Sequence, residues 1–208
     1  MSLPETMKTE DGAHRSAGRD DWLARWLPML RQACAHGPVL EIGCGDGEDS
    51  ATLIGAGLAL IAFDLSADAL AAACHRAPGG RFHCQDVRQP FPLDGKQPGA
   101  VVASLSLHYF SWDETRDISA RIRQCLPPGG KLLCRLNAID DHHYGASGHP
   151  EIAPNYYLVD GSPKRFFDER AVRELFADGW CLLSLEHGVS HKYPLPKALW
   201  EAVLERSV

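Results

Sequence analysis

From residue 39 onward, short continuous apolar runs alternate with stretches in which apolar residues recur every three or four positions. The runs read as strands covered on both faces, and the longer period reads as amphipathic helix. The pattern predicts strands over 39–44, 58–64, 81–87, 100–107 and 131–137. Helices are predicted over 50–54, from a Ser66 cap to 77, and over 112–126, where Asp113 and Glu114 suit the first turn. Pro78-Gly79-Gly80 and Pro127-Pro128-Gly129-Gly130 punctuate the pattern. Upstream, Trp22, Leu23, Trp26, Leu27, Leu30 and Ala33 recur at helical spacing behind a capping Asp20 or Asp21, which reads as core packing. Downstream, 138–167 is a long loop rich in Gly, Pro, His and Tyr. Asp168 then caps a helix to 177, and 181–186 and 198–204 look like closing strands, the last ambiguous with helix.

Strands separated by helices imply right-handed crossovers and a parallel sheet, hence an α/β chain with a Rossmann-like open sheet and helices on both faces. The polar, aperiodic residues 1–20 are expected to be a mobile segment, and 21–208 a single domain. Within it, 138–167 is long enough to be a functional loop, expected to cover the substrate.

Composition narrows the partners. The net charge of −6 has no basic cluster to oppose, which argues against nucleic acid as a partner. No apolar run crosses a bilayer and the first twenty residues lack a signal-peptide core, so the expectation is a cytoplasmic protein without a membrane partner. Seven scattered cysteines without a C-x-x-C pair read as reduced thiols, not as a disulfide framework or a zinc site.

The chemistry gathers where strands end, because open parallel sheets bind ligands beyond their carboxyl ends. The first strand runs into Gly43-Cys44-Gly45-Asp46-Gly47, a turn that lets backbone approach a ligand. A dinucleotide fingerprint would continue with glycine at position 48, with a pyrophosphate at the helix N-terminus. Here Glu48 stands between Gly47 and Asp49, and carboxylates there repel phosphate while tolerating a cationic ligand. S-adenosylmethionine is such a ligand: an adenosine, a sulfonium, an ammonium and no phosphate. Asp64 ends the second strand, where an acid accepts ribose hydroxyls. Asp86, at the end of the third, can accept the adenine amine, with Leu65 and Val87 on either side of the ring. Ser104 lies in the fourth strand, near the methionine end. Taken singly, each acid is as well explained as a helix cap; three successive strand ends in order are harder to obtain by accident.

Glu41-Ile42-Gly43-Cys44-Gly45-Asp46-Gly47 resembles the first motif of class I S-adenosylmethionine-dependent methyltransferases of the small bacterial type. Ala62-Phe63-Asp64-Leu65-Ser66 resembles the second motif, Gln85-Asp86-Val87 the third, and Leu126-Pro127-Pro128-Gly129-Gly130-Lys131-Leu132-Leu133 the turn before the fifth strand. The resemblance spans 39–137. It implies seven strands, mostly parallel, the last antiparallel. It implies that Gly43 and Gly45 face the methionine moiety, Asp64 the ribose, and Asp86 with Val87 the adenine, while Glu41 supports the loop; Cys44, between the two glycines, is a further cofactor-binding candidate. The family often has an acid before strand four; Gly99 stands there, and a local effect on that turn is expected. A looser similarity links 104–110, Asn155-Tyr156-Tyr157 and Lys164-Arg165-Phe166-Phe167 to small bacterial methyltransferases related to the tellurite- and thiopurine-acting type.

Transfer from a sulfonium requires alignment and shielding, and a base only when the acceptor holds a proton. His108 is the candidate catalytic residue, as base, orienting group or mere pocket wall, with a purely structural histidine equally open. Tyr109, Asn137, Tyr144 and Arg165 are the candidate acceptor-binding residues, with Arg135, Tyr156, Tyr157 and Lys164 as further candidates. Asp140, Asp141, His142, His143 and His149 match no metal-ligand spacing, so no metal is expected. The reading is methyl transfer to a small-molecule acceptor with S-adenosylhomocysteine as product, in a monomer or homodimer. A non-catalytic S-adenosylmethionine-binding module and an NAD(P)-dependent oxidoreductase stay open beside it.

Overall fold

The computed structural model describes residues 21–207; the 1–20 segment expected to be mobile lies outside them, as does Asp20, one of the two expected caps. A 3-10 turn at Ala24–Trp26 leads into helix α1 (Leu27–Ala33), and strand β1 (Val39–Ile42) follows. Helix α2 (Glu48–Gly55), β2 (Leu60–Asp64), α3 (Ala67–Arg76), β3 (Arg81–Cys84), β4 (Ala100–Ser104), α4 (Trp112–Cys125) and β5 (Lys131–Asn137) continue the alternation. The Ser66 hydroxyl accepts the Ala69 N–H, as its cap reading requires, and Ser111 with Glu114 forms a reciprocal capping box on α4.

The span 138–167 is not the structureless loop expected from its composition. It holds a 3-10 turn at His142–Tyr144 and a small antiparallel sheet of β6 (Glu151–Ala153), β7 (Tyr156–Val159) and β8 (Ser162–Arg165). Two tight turns build it. Asn155, and Asp160 with Gly161, take positive φ, the geometry that two-residue hairpins favour. Helix α5 (Glu169–Leu175) follows its Asp168 cap, and β9 (Trp180–Ser190) pairs with β10 (Lys197–Arg206). The ambiguity over 198–204 resolves to strand.

The main sheet has seven strands in the order β3-β2-β1-β4-β5-β10-β9. β1 to β5 pair in parallel, and β10 is antiparallel to both neighbours, so the last strand lies inside the sheet with β9 at its edge. Strand alternation feeds two cores. Leu40, Ile42, Phe63, Val101, Ala103, Leu132 and Leu136 pack with Ile118 and Ile122 of α4 and Val172 of α5. Val39, Leu60, Ala62, Val102 and Leu133 pack on the other face with Trp22, Leu23, Leu30, Leu53 and Leu70. The Trp22 side chain is therefore core, and its indole N–H also donates to Asp49.

Gly99 has a steric reason. A Cβ there would lie 2.1 Å from the Ala33 carbonyl oxygen, so an acid before β4 is incompatible with the way α1 ends against the sheet. Strand order reverses between β1 and β4, the place at which open sheets of this kind bind ligands beyond their carboxyl ends.

Candidate functional site

A cleft of about 770 Å³ opens over those carboxyl ends. Its walls include Gly43, Gly45, Asp64, Leu65, Asp86, Val87 and Ser104, seven of the eight positions expected to bind cofactor. The eighth, Cys44, is buried beside them, its thiol packed toward the Gly45 carbonyl and not facing the cleft.

The glycine turn is held to its neighbour by hydrogen bonds. The N–H groups of Gly43 and Cys44 donate to the Phe63 carbonyl, and the Gly45 N–H donates to Asp64 Oδ2 at 2.8 Å. The other Asp64 oxygen takes the Ser66 N–H at 2.9 Å. Gly43 sits at φ +68°, and a Cβ on it would fall 2.5 Å from Ser106 Cβ, so the turns after β1 and β4 touch at this point. Gly45 is also left-handed, but its missing Cβ would meet nothing within 4 Å, which leaves the backbone bare to the cleft.

Beneath the turn, Glu41 is buried and accepts the Ser50 hydroxyl at 2.5 Å. Burial, with Asp49 and Asp64 nearby, pushes its carboxyl up to about 8. At neutral pH it is therefore largely protonated and supports the loop without touching the cleft. Above it, the first turn of α2 carries Glu48 and Asp49. Lys192 pairs with Glu48 and Arg76 with Asp46. The paired acids leave no cationic cradle for a pyrophosphate at this helix start.

Leu65 is 71 % exposed at the tip of β2, an apolar side chain presented to the cleft, with Val87 buried in the opposite wall. Asp86 accepts the Arg88 N–H and guanidinium, and these hold its carboxyl below the usual range. Arg88 in turn pairs with Glu114 and lies over Phe110. Ser104 accepts from Arg135 Nε at 2.9 Å.

The far end of the cleft is built after β4 and β5. Leu105 takes φ +52° and is followed by a 3-10 turn, Leu107–Tyr109. A left-handed leucine lining a cleft is a strained position of the kind that binding sites retain. His108, Tyr109, Asn137 and Tyr144 all line this end, as expected from the sequence. Arg165 does not. It is buried behind the wall, stacked on Tyr156 and Trp112 and donating to the carbonyls of Phe110 and Pro154. The strand period explains the exchange: β8 turns Lys164 to the cleft and Arg165 away from it. Arg135 likewise faces the Trp22 ring, and Tyr156 donates to the Tyr109 carbonyl from outside the cleft.

Sequence reading missed Lys197 and Tyr193, which enter from the β9–β10 hairpin. The ammonium of Lys197 pairs with buried Asp141 at 2.7 Å, and the Tyr144 hydroxyl donates to the Leu195 carbonyl and accepts the Leu195 N–H. Asp140 turns the other way, to His187.

Three side chains here are polar and buried without a hydrogen-bond partner: Ser106 at Oγ, His108 at Nδ1, and Asn137 at both Oδ1 and Nδ2. His108 is 3 % exposed and Asn137 1 %. Burial, and then the charges of Lys197 and Lys164, hold the imidazole well below its ordinary range, so it is neutral at physiological pH. Unpartnered buried polar groups are costly, and clustered in one cleft they fit a ligand that satisfies them.

Residues 39–130 match the family described as methyltransferase domain. No curated protein matches the chain. Among solved structures, a Pyrococcus horikoshii protein aligns at TM-score 0.70 with 17 % identity, covering 93 % of each chain. An S-adenosylmethionine-dependent methyltransferase from Mesorhizobium loti aligns at 0.68 with 18 % identity, over 91 % of this chain and all of its own. A Burkholderia thailandensis 1,6-didemethyltoxoflavin N1-methyltransferase, solved with its substrate and S-adenosylhomocysteine, aligns at 0.66 with 20 % identity, over 91 % of this chain and 82 % of its own. At these identities the structural likeness speaks for the fold. The match at 39–130 and the seven-stranded sheet make the chain similar to S-adenosylmethionine-dependent methyltransferases in that stretch and in fold.

Proposed function

We propose that the protein transfers a methyl group from S-adenosylmethionine to a small-molecule acceptor held at the far end of the same cleft. The observation that carries this reading is the continuity of one cleft from Leu65 and Asp86 to His108 and Asn137. The residues present fit the cofactor: a bare glycine turn, a carboxylate at the tip of β2, an apolar pair in Leu65 and Val87, and no cradle for phosphate. When bound, S-adenosylmethionine supplies a methyl group already activated on sulfur.

The remaining work falls to the chain. Gly43 and Gly45 admit the methionine moiety, Asp64 accepts ribose hydroxyls with the lone pairs its backbone bonds leave free, and Asp86 receives the adenine amine. Ser104 and Ser106 bound the methionine end. Asn137 offers a donor and an acceptor to orient the incoming nucleophile, and Tyr109 and Tyr144 wall it from water. Neutral His108 accepts the proton of an acceptor that still holds one. The small β6–β8 sheet and the β9–β10 hairpin act as the cover over the acceptor, the role expected of 138–167. The likeness to small-molecule methyltransferases such as the toxoflavin enzyme supports a small acceptor.

Methyl-transfer assays with labelled cofactor against thiols, phenols, amines and oxyanions test the reading. Turnover of one class supports it, whereas cofactor binding without transfer to any of them supports the binding-module alternative.

A further inference from the structure

Charge is unevenly placed along the cleft, with Arg88 the cation beside the acids. Asp64 and Asp86 lie at the cofactor end, Lys164 and Lys197 at the acceptor end. Most of these charges have a partner of their own. Asp86 has Arg88, Lys197 has Asp141, and Asp64 accepts two backbone N–H groups. Lys164 has no carboxylate partner among the described residues. It projects from β8, an edge strand of the small sheet, where its neighbours Ser162 and Pro163 also line the cleft.

The surrounding walls are flat. Tyr109, Phe110, Tyr144 and Tyr193 face the same space. Asn137 and His108, nine-tenths buried or more, present unpartnered polar atoms to it. A lysine, four aromatic rings and an unsatisfied amide form a built site with one kind of complement.

We propose that the methyl acceptor is a flat organic anion, its oxyanion received by Lys164, its ring lodged among Tyr109, Tyr144 and Tyr193, and its nucleophilic atom presented beside Asn137 and His108. The Lys197–Asp141 pair holds the floor of that site: its ammonium lies 4.7 Å from the centre of the Tyr144 ring and 5.8 Å from that of Tyr193. An anion at Lys164 also offsets the positive charge that Lys164 and Lys197 place near His108. This rests on the methyltransferase reading and narrows its acceptor.

The test uses the full chain saturated with S-adenosylhomocysteine, whose own binding is measured first by calorimetry. Aryl carboxylates paired with their neutral amides, such as 2-hydroxybenzoate with 2-hydroxybenzamide, are then titrated and followed by NMR. At least one acid is expected to bind about tenfold or more tightly than its amide, a preference that Lys164→Ala removes and Lys164→Arg largely keeps. Thermal melts of both variants establish that they are folded. Equal affinity within every pair, no detectable binding of any acid, or an acid preference unchanged in Lys164→Ala overturns the proposal. Failure of S-adenosylhomocysteine to bind would instead overturn the methyltransferase reading beneath it.

Discussion

Asp64 accepts the Gly45 N–H at 2.8 Å, so the tip of β2 clamps the glycine turn that leaves β1. One carboxylate thus shapes the loop and faces the cleft that the loop borders. Asp64→Ala removes both functions, and S-adenosylhomocysteine affinity is expected to fall by about 1.5–3 kcal/mol, the range for a hydrogen bond to a charged group. Asp64→Asn keeps an oxygen for Gly45 and is expected to lose less. Calorimetry on the two variants separates the loss of loop support from the loss of charge.

Glu41 gives a stability signature in pH. Its folded-state carboxyl lies at about 8, above the ordinary value of 4.5, because burial disfavours the charge. A raised carboxyl contributes stability that is complete below the unfolded value and is lost as pH climbs toward the folded one. Denaturant midpoints are therefore expected to decline between about 4.5 and about 8. Glu41→Gln, neutral and still able to accept from Ser50, is expected to remove that part of the slope. An unchanged slope in the variant would show that Glu41 is not the group responsible.

His108 runs in the opposite sense. Its imidazole is held below its usual range by burial, so the neutral form persists in the fold, and stability is lost as pH falls through the ordinary imidazole value of 6.5, where the unfolded chain takes up a proton that the fold does not. For an acceptor that carries a proton, His108→Gln is expected to lower kcat by about 10² to 10⁴ while leaving S-adenosylhomocysteine affinity unchanged. Parallel kinetics and calorimetry check the split.

The Tyr156 hydroxyl donates to the Tyr109 carbonyl at 3.2 Å, tying the small sheet to the turn that carries His108. Tyr156→Phe is expected to cost about 0.5–1.5 kcal/mol of stability. It is also expected to raise KM for the acceptor more than it changes cofactor binding, measured by steady-state kinetics.

The sequence made the end of the cleft between Gly43 and Asp86 legible because its signals are local. A strand, a glycine turn and an acid at the next strand tip are all read within the span from Glu41 to Asp86, and the fifth strand, Lys131–Asn137, has the predicted bounds. Where reading failed, the information was tertiary or was overlooked. Arg165 and Lys164 are adjacent cations, and only the pairing of β8 with β7 decides which one faces the cleft. Lys197 and Tyr193 reach the site from a hairpin far along the chain, and no local period announces that. The sheet within 138–167 did leave a signal. Asp160-Gly161 between Tyr157-Leu158-Val159 and Ser162 is a hairpin turn in sequence as well as in structure. Glycine and proline density across the span masked it.

The central claim is that the tips of the first three strands hold a phosphate-free, cationic adenosyl compound. Isothermal calorimetry of the full chain with S-adenosylmethionine, S-adenosylhomocysteine and NAD tests it most directly. Saturable heat is expected with the first two and none with the dinucleotide; saturable binding of NAD with silence from both adenosyl compounds would contradict it.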